Sequence, residues 1–310
     1  MKSNKIVVVG SSNMDMVVKT NHIPAPGETV LSGSFFMNPG GKGANQAVAV
    51  ARLGGDITFV SKLGNDVFGK QFCQLFNDEG IDTSFILSDD DYPSGVALIT
   101  VDQAGENSIV VASGANAYLH SNDIEPALDQ IAQAEILLVQ LEIPMDTVGF
   151  VVNFAASKNV RVILNPAPAN ILTQDVLNNV DILTPNKMEA GMLSGIEVTD
   201  IKTAKMAAKV ICAKGVKNVV VTMGSLGAVV CQQGNCSVLA APKVETIDTT
   251  AAGDVFNGAL AVALIEGKDL EEAVAFANEA AAISVTRLGA QSSIPYRSEV
   301  ITKKLNMARL

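Results

Sequence analysis

The chain has 310 residues, of which 48% are hydrophobic and 17% charged; this excludes disordered and fibrous classes and leaves one large globular domain or two modest ones. A formal charge of −10 gives no overall basic field, so nucleic acid and anionic membrane surfaces are poor partners. No apolar run nears the ~20 residues of a bilayer span, and no basic-then-apolar leader precedes Gly10, so the chain reads as cytoplasmic.

In chain order, Val- and Ile-rich strands are expected at 5–9, 57–62, 136–141, 161–164, 181–183 and 218–223, with helices at 45–53, 68–78, 146–158, 203–214, 252–266 and 270–285. This alternation predicts the α/β class, a doubly wound and mostly parallel sheet flanked by helices. Two segments break the rhythm, 17–36 and 94–111, the second with an Asp102-Gln-Ala-Gly105 turn. Both alternate apolar and polar residues like half-buried antiparallel strands, and they are expected to form a small sheet acting as a lid on a single domain spanning 1–310. Its uncovered apolar face invites pairing with a second subunit. No repeat or low-complexity linker interrupts the chain. The cysteines Cys73, Cys212, Cys231 and Cys236 suit reduced core thiols, and Cys231 with Cys236 lacks the further ligands of a zinc site.

Two glycine turns carry chemistry. Asn38-Pro-Gly-Gly-Lys-Gly-Ala-Asn-Gln-Ala47 opens an Ala-rich helix, where free backbone N–H groups and the helix dipole favour polar or anionic ligands. It is no P-loop, because Lys42 is followed by Gly43 and Phe36 stands where the first glycine belongs; a turn serving only to start the helix remains an alternative. The second, Asp248-Thr-Thr-Ala-Ala-Gly-Asp-Val-Phe-Asn-Gly258, puts Ala252, Gly253 and Asp254 at a helix start, a cradle for charge developing on a transferring phosphoryl group. Asp254 is either a capping carboxylate or a general base facing a hydroxyl. His22 and His120 lie outside these turns, and surface or capping roles suit them better than a Ser-His-Asp arrangement. The opening strand ends Val9-Gly-Ser-Ser-Asn13 without the further glycines of a dinucleotide fingerprint.

Both turns, with Asn186-Lys-Met-Glu189 and Thr222-Met-Gly-Ser-Leu-Gly227 between them, resemble the signatures of the ribokinase-like (PfkB) carbohydrate kinase family in order and spacing over essentially the whole chain. The wording of the first turn, with Asn13-x-Asp15, Asn165-Pro-Ala-Pro168 and Gly289-Ala-Gln291, resembles the ribose-phosphorylating members more than the fructose or adenosine kinases. The resemblance implies ATP-dependent phosphorylation of D-ribose at its 5-hydroxyl. Kinases for another furanose or a nucleoside (deoxyribose, adenosine) and a non-catalytic sugar or nucleotide sensor are the alternatives. By the same resemblance Asp254 is the base, with Ala252 and Gly253 beside it; Asn13, Asp15, Gly41, Lys42, Asn45 and Glu142 contact the sugar. Asn186, Thr222, Gly224, Gly227, Gly253 and Asn278 contact ATP, and Glu189 holds Mg²⁺ through water. Asp248, with backbone groups at Thr250, Ser284, Arg287, Gly289 and Ser293, holds a monovalent cation such as K⁺. Two departures stand out: Ala251 replaces a glycine of the general family pattern, as in the ribose-specific members, and Asn278 stands where some members have a His near adenine. The uncovered lid face and the resemblance both point to a homodimer through the lid; residues near 22–26 are candidates to reach the neighbouring sugar site, a contribution the family pattern does not fix.

Overall fold

The computed structural model describes residues 4–31 and 33–307. β1 (Lys5–Val9) starts the main sheet, β2 (Asn13–Lys19) and β3 (Ser34–Gly40) leave it, and α1 (Lys42–Arg52) and β4 (Asp56–Gly64) return to it. α2 (Val67–Asp78) crosses to β5 (Asp82–Asp89), and β6 (Gly95–Val101) and β7 (Asn107–Ala112) leave again. The short α3 (Ser121–Ile124) and α4 (Leu128–Gln133) lead to β8 (Ile136–Val139), followed by α5 (Met145–Ser157), β9 (Arg161–Leu164), α6 (Gln174–Asn179), β10 (Ile182–Leu183) and α7 (Lys187–Ser194). Then come α8 (Ile201–Ala213), β11 (Asn218–Thr222), the hairpin of β12 (Ala228–Gln232) and β13 (Asn235–Leu239), and the helices α9 (Ala252–Ile265), α10 (Leu270–Ser284) and α11 (Arg297–Met307).

The main sheet runs β13-β12-β11-β10-β9-β8-β1-β4-β5. Its pairings are parallel from β11 to β5 and antiparallel at the β11-β12-β13 end. Side chains alternate across a strand, so β1 feeds two cores. Ile6 and Val8 pack with α1, α9 and α10 on one face, while Val7 and Val9 pack with α5 and α8 on the other. Burial on both faces is why β1 reads as an unbroken apolar run.

The second sheet runs β3-β2-β6-β7, with β2 and β6 parallel and the outer pairs antiparallel. Its faces differ sharply. Val18, Phe35, Met37, Leu98 and Val110 share one face by register and are exposed. Asn13, Asp15 and Ala97 share the other, which turns toward the body of the chain, while Val111 at its rim on β7 stays exposed.

Several expectations need correction. The segment 17–36 is not continuous strand, since residues 20–31 and 33 form a loop and strand structure extends instead back to Asn13 and forward to Gly40. The edge strands β5 and β13, the buried strand β12 beside β13 and helix α7 were not anticipated; edge positions need less apolar surface and so leave a weaker pattern in β5 and β13. Cys231 and Cys236 are not reduced thiols: they face each other across β12 and β13 with Cα atoms 4.1 Å apart and form a disulfide, while Cys73 and Cys212 are free. His22 is exposed and pairs with Glu28 at 2.8 Å, and His120 stands at the N-cap of α3. No helix among the described residues is long and apolar enough to cross a membrane.

Candidate active site

The first glycine turn is built for close approach. Gly41 has φ +88°, a conformation that L side chains rarely adopt, and a Cβ at Gly43 would lie 2.6 Å from the backbone of Gly10 and Ser11. That approach brings the start of α1 against the end of β1, but it does not leave an open anion site. Glu142 Oε2 accepts from the Lys42 N–H at 3.1 Å and from Ser11 Oγ at 2.5 Å. Ser11 O accepts from Ala44 N, and Ser11 Oγ from Gly43 N. The protein's own carboxylate thus occupies the positive end of α1, where the sequence suggested a ligand.

The second turn is different. Ala251, φ +60°, is the N-cap of α9. Ala252 N–H, expected to be free, donates to Thr249 O at 3.2 Å. The amides of Gly253 and Asp254 have no hydrogen bond within the described residues, and a Cβ added to Gly253 would meet nothing within 4 Å. Two free donors therefore stand at the mouth of a fourteen-residue helix, an arrangement that attracts anionic oxygens.

Asp254 is buried at this mouth and held from both sides. Asn45 Nδ2 donates to its Oδ2 at 2.9 Å and Gln46 Nε2 to its Oδ1 at 3.1 Å. α1 and α9 can hold these groups in register because they cross tightly, a Cβ at Gly258 lying 2.6 Å from Ala49 Cβ. Gln46 also donates to Asn165 Oδ1 (3.1 Å) and accepts from Gln140 Nε2 (2.6 Å). Asn257 donates to Gly253 O at 2.8 Å and accepts from Thr184 Oγ1 at 2.7 Å, tying the first turn of α9 to the end of β10.

On the small sheet's inner face, Asn13 Oδ1 accepts from Asn116 Nδ2 at 2.8 Å. Asn13 and Glu142 line a cavity of about 500 Å³ with Val111, Asn116, Ile143 and Pro168. The carboxylate of Asp15 lies against Gly40, within 2.3 Å of where a Cβ there would sit. Asp15, Glu142, Glu189 and Asp254 crowd around Lys42. Burial raises the Asp15 carboxyl to about 7, with Glu142 and Asp254 adding to the rise against Lys42. Burial also raises Asp254, opposed by Lys42 and by the donors Asn45 and Gln46. Burial pulls the Lys42 ammonium down, but Asp254, Glu142, Glu189 and Asp15 outweigh it and leave the group raised. One cation among four carboxylates leaves a surplus of negative charge that favours a bound cation or proton donor.

A second cavity, of about 490 Å³, opens at the α9 mouth. Thr222, Gly224, Gly227, Gly253 and Asn278 line it together, with Ala252. Its walls include Pro242, Val244, Phe256 and Val285, an apolar slot for a planar base, and Lys243, a positive charge the sequence did not single out. Asn278 also donates to Leu239 O at 3.1 Å. Asn186 is not a lining residue; it bridges to Thr222 and forms a reciprocal cap with Glu189, whose two carboxylate oxygens accept from Asn186 N and Nδ2 at 2.8 Å. Burial raises the Glu189 carboxyl against that backbone donor and Lys42.

Of the expected cation residues, Asp248, Thr250 and Gly289 meet directly. Asp248 Oδ1 accepts from Thr250 N and Oγ1, and Oδ2 from Gly289 N at 2.9 Å. Ser284 O accepts from Arg287 N, the Arg287 side chain pairs with Glu299, and the hydroxyls of Ser284 and Ser293 donate to Ala281 O and Ala290 O. No group of three or more His, Cys, Asp or Glu suited to a metal occurs among the described residues. A monovalent cation would have to be held mostly by backbone carbonyls around Asp248.

Gln46, Gln140, Asn165, Asn257, Asn116 and Ser11 complete the site, and motif reading assigned none of them a role. Gln46 and Asn165 lay inside quoted motifs; Gln140 and Asn116 carried no local signal at all.

A buried, amide-held carboxylate beside two free helix amides, at the mouth of an apolar cavity and facing the charged cluster of Lys42, Glu142 and Asp15, is the layout of a phosphotransferase acting on a polyol. Residues 3–297 match the pfkB family carbohydrate kinases, and the chain belongs to that family. It is 45% identical to a ribokinase of Haemophilus influenzae, over 96% of this chain and 97% of that one. It is 35% identical to a deoxyribokinase of Salmonella typhi, over 94% and 95%. A ribokinase structure from Arabidopsis thaliana in complex with ribose and ATP superposes with a TM-score of 0.90 at 34% identity, over 96% and 97%.

Proposed function

We propose that this chain phosphorylates D-ribose at its 5-hydroxyl, giving D-ribose 5-phosphate and ADP from ATP. The observation that carries the reading is the position of Asp254. Its carboxylate is held by Asn45 and Gln46 on the sugar side, while the residues just before it, Ala252 and Gly253, line the nucleotide cavity.

In this reading Asn13, Asp15, Lys42, Asn45 and Glu142, with the Gly41 backbone, read the hydroxyls of the furanose, and Asn45 Oδ1, buried without a partner, takes one of them. Asp254 accepts the proton of the 5-hydroxyl as that oxygen attacks the γ-phosphorus, and the bond to the bridging oxygen of ADP breaks in line. The Gly253 and Asp254 amides donate to the oxygens on which charge builds. Ala252, its own amide engaged, shapes the turn rather than donating. Thr222, Gly224, Gly227, Gly253 and Asn278 form the ATP cavity, and Asn186 braces it from behind.

Mg²⁺, held mainly by ATP and water rather than by a cluster of protein ligands, would neutralise phosphate charge. Glu189 is suited to hold it through water, since both its oxygens already accept from Asn186. Asp248, with backbone oxygens near Thr250, Ser284, Arg287, Gly289 and Ser293, offers the hard donors that K⁺ prefers. The four-stranded sheet acts as a lid within one domain spanning the chain. Its exposed apolar face (Phe35 59%, Leu98 54%, Val110 63% exposed) pairs with the same face of a second copy in a two-fold dimer, and the loop around 22–26 reaches toward the partner's site. With no membrane span in the described helices, the reading is a cytoplasmic enzyme.

The similarity to a deoxyribokinase supports one rival, a kinase for deoxyribose. ADP release measured with ribose, deoxyribose, fructose and adenosine separates the two. Ribose is expected to give the highest kcat/KM; a higher value for deoxyribose would reassign the substrate, and no release with any of the four would leave a binding protein.

A further inference from the structure

Gln46 is fully buried, and every hydrogen-bonding position of its amide but one acceptor lone pair is taken by three different elements. One Nε2 hydrogen goes to Asp254 Oδ1 on α9 and the other to Asn165 Oδ1 after β9; Oε1 accepts from Gln140 Nε2 after β8. Turning the amide over would face its oxygen toward the Asp254 carboxylate and set two NH₂ groups, those of Gln46 and Gln140, against each other. The Gln140 Oε1 is buried without a partner and could turn to meet a reversed Gln46, but an oxygen facing the Asp254 carboxylate is repulsive in either case, so the amide keeps its N–H toward Asp254. Asn45 differs: it also donates to Asp254, but its Oδ1 is buried without a partner.

We propose that Gln46, itself locked by Gln140, is a positioning residue that fixes the rotation of the Asp254 carboxylate and keeps it ionised for proton acceptance. The inference rests on the reading of Asp254 as base. The physical reason is that a buried carboxylate facing other acids needs compensating donors to remain charged. The charged groups facing Asp254 are Lys42 on α1, Glu142 after β8, Asp15 on β2 and Glu189 on α7. Lys42 attracts its charge, and each of the three acids repels it when ionised, Asp15 only above about pH 7. A fixed amide donor offsets that repulsion without touching substrate.

The test is the pH profile of kcat for ribose phosphorylation in Gln46→Met, which keeps the side chain's length and removes the donor. The acid limb is expected to move up by about one pH unit, as when a carboxylate loses one of two donors, with kcat at neutral pH falling about tenfold or more. KM for ATP should stay within about twofold, because Gln46 does not line the nucleotide cavity. A merely structural role would lower activity at all pH values and leave the limb in place, and that result overturns the proposal. Gln140→Met serves as the second variant: it leaves Gln46 present but frees its Oε1, and a smaller shift in the same direction is expected. An unmoved limb in folded Gln140→Met also refutes the lock. Asp254→Asn separates the two levels. Its turnover should fall by roughly 10² to 10⁴; if it stays within about threefold of the unaltered enzyme, the assignment of the base has failed, whereas an inactive Asp254→Asn with an unmoved Gln46→Met limb defeats only the role of Gln46.

Discussion

Replacing Gly253 by Ala puts stability and activity in opposition. Gly253 lies in the first turn of α9 with ordinary helical geometry, and an added Cβ meets no atom within 4 Å. Nothing in the fold opposes the methyl group. Alanine is favoured over glycine in a helix by about 0.5–1 kcal/mol and narrows the unfolded ensemble, so Tm should rise by about 1–2 °C. That open space is nonetheless where phosphate oxygens must approach the Gly253 and Asp254 amides. A methyl group there keeps an oxygen out of amide contact by about 1 Å, and a misplacement of that size costs roughly 10² in turnover. Thermal unfolding without ligand and a coupled assay of ADP release, run on the same preparation, measure the two effects. Gly253→Ala that melts higher and still turns over within about threefold of the unaltered enzyme would refute the phosphate cradle.

Asp15→Asn tests the crowded carboxylates. The folded chain keeps Asp15 protonated up to about pH 7, so between the ordinary carboxylate range and that pH the native state holds more protons than the unfolded chain, and this group's contribution falls as pH rises. Asp15→Asn should therefore gain stability over the unaltered protein at pH 8, on the order of 1–2 kcal/mol, with the advantage shrinking as pH falls and gone only below the ordinary aspartate value of 3.8; a difference independent of pH in denaturant titrations would count against it. Asp15→Ala should weaken ribose by about 1–3 kcal/mol while sparing ATP, as calorimetry can show. Replacing K⁺ with a bulky organic cation should lower activity severalfold, with Asp248→Ala abolishing the response; indifference to K⁺ would remove the cation site alone. Leu98→Asp, on the exposed face of the small sheet, should convert a dimer into a species of 32.3 kDa in light scattering. A monomeric, fully active unaltered protein would rule out the dimer.

The sequence alone determined the elements whose pattern repeats locally. The doubled core of the main sheet is legible in β1, where four successive apolar residues, Ile6 to Val9, each face one of two helical layers. The start of α9 is legible because a glycine before an acid and a long apolar helix is a short-range signal. The inner and outer faces of the small sheet follow from alternation along the chain, although its strand limits did not: the loop between β2 and β3 carries Pro24, Pro26 and Gly27, turn residues that interrupt the strand expected over 17–36. Tertiary structure decided the rest. Glu142 reaches the N-terminus of α1 from 100 residues away, and Gln140 locks Gln46 across 94. That distant carboxylate closes one helix end to anions, while the other is left open. Local sequence describes how a helix begins; what fills its positive end depends on chain folded against it from elsewhere, and no periodicity records that.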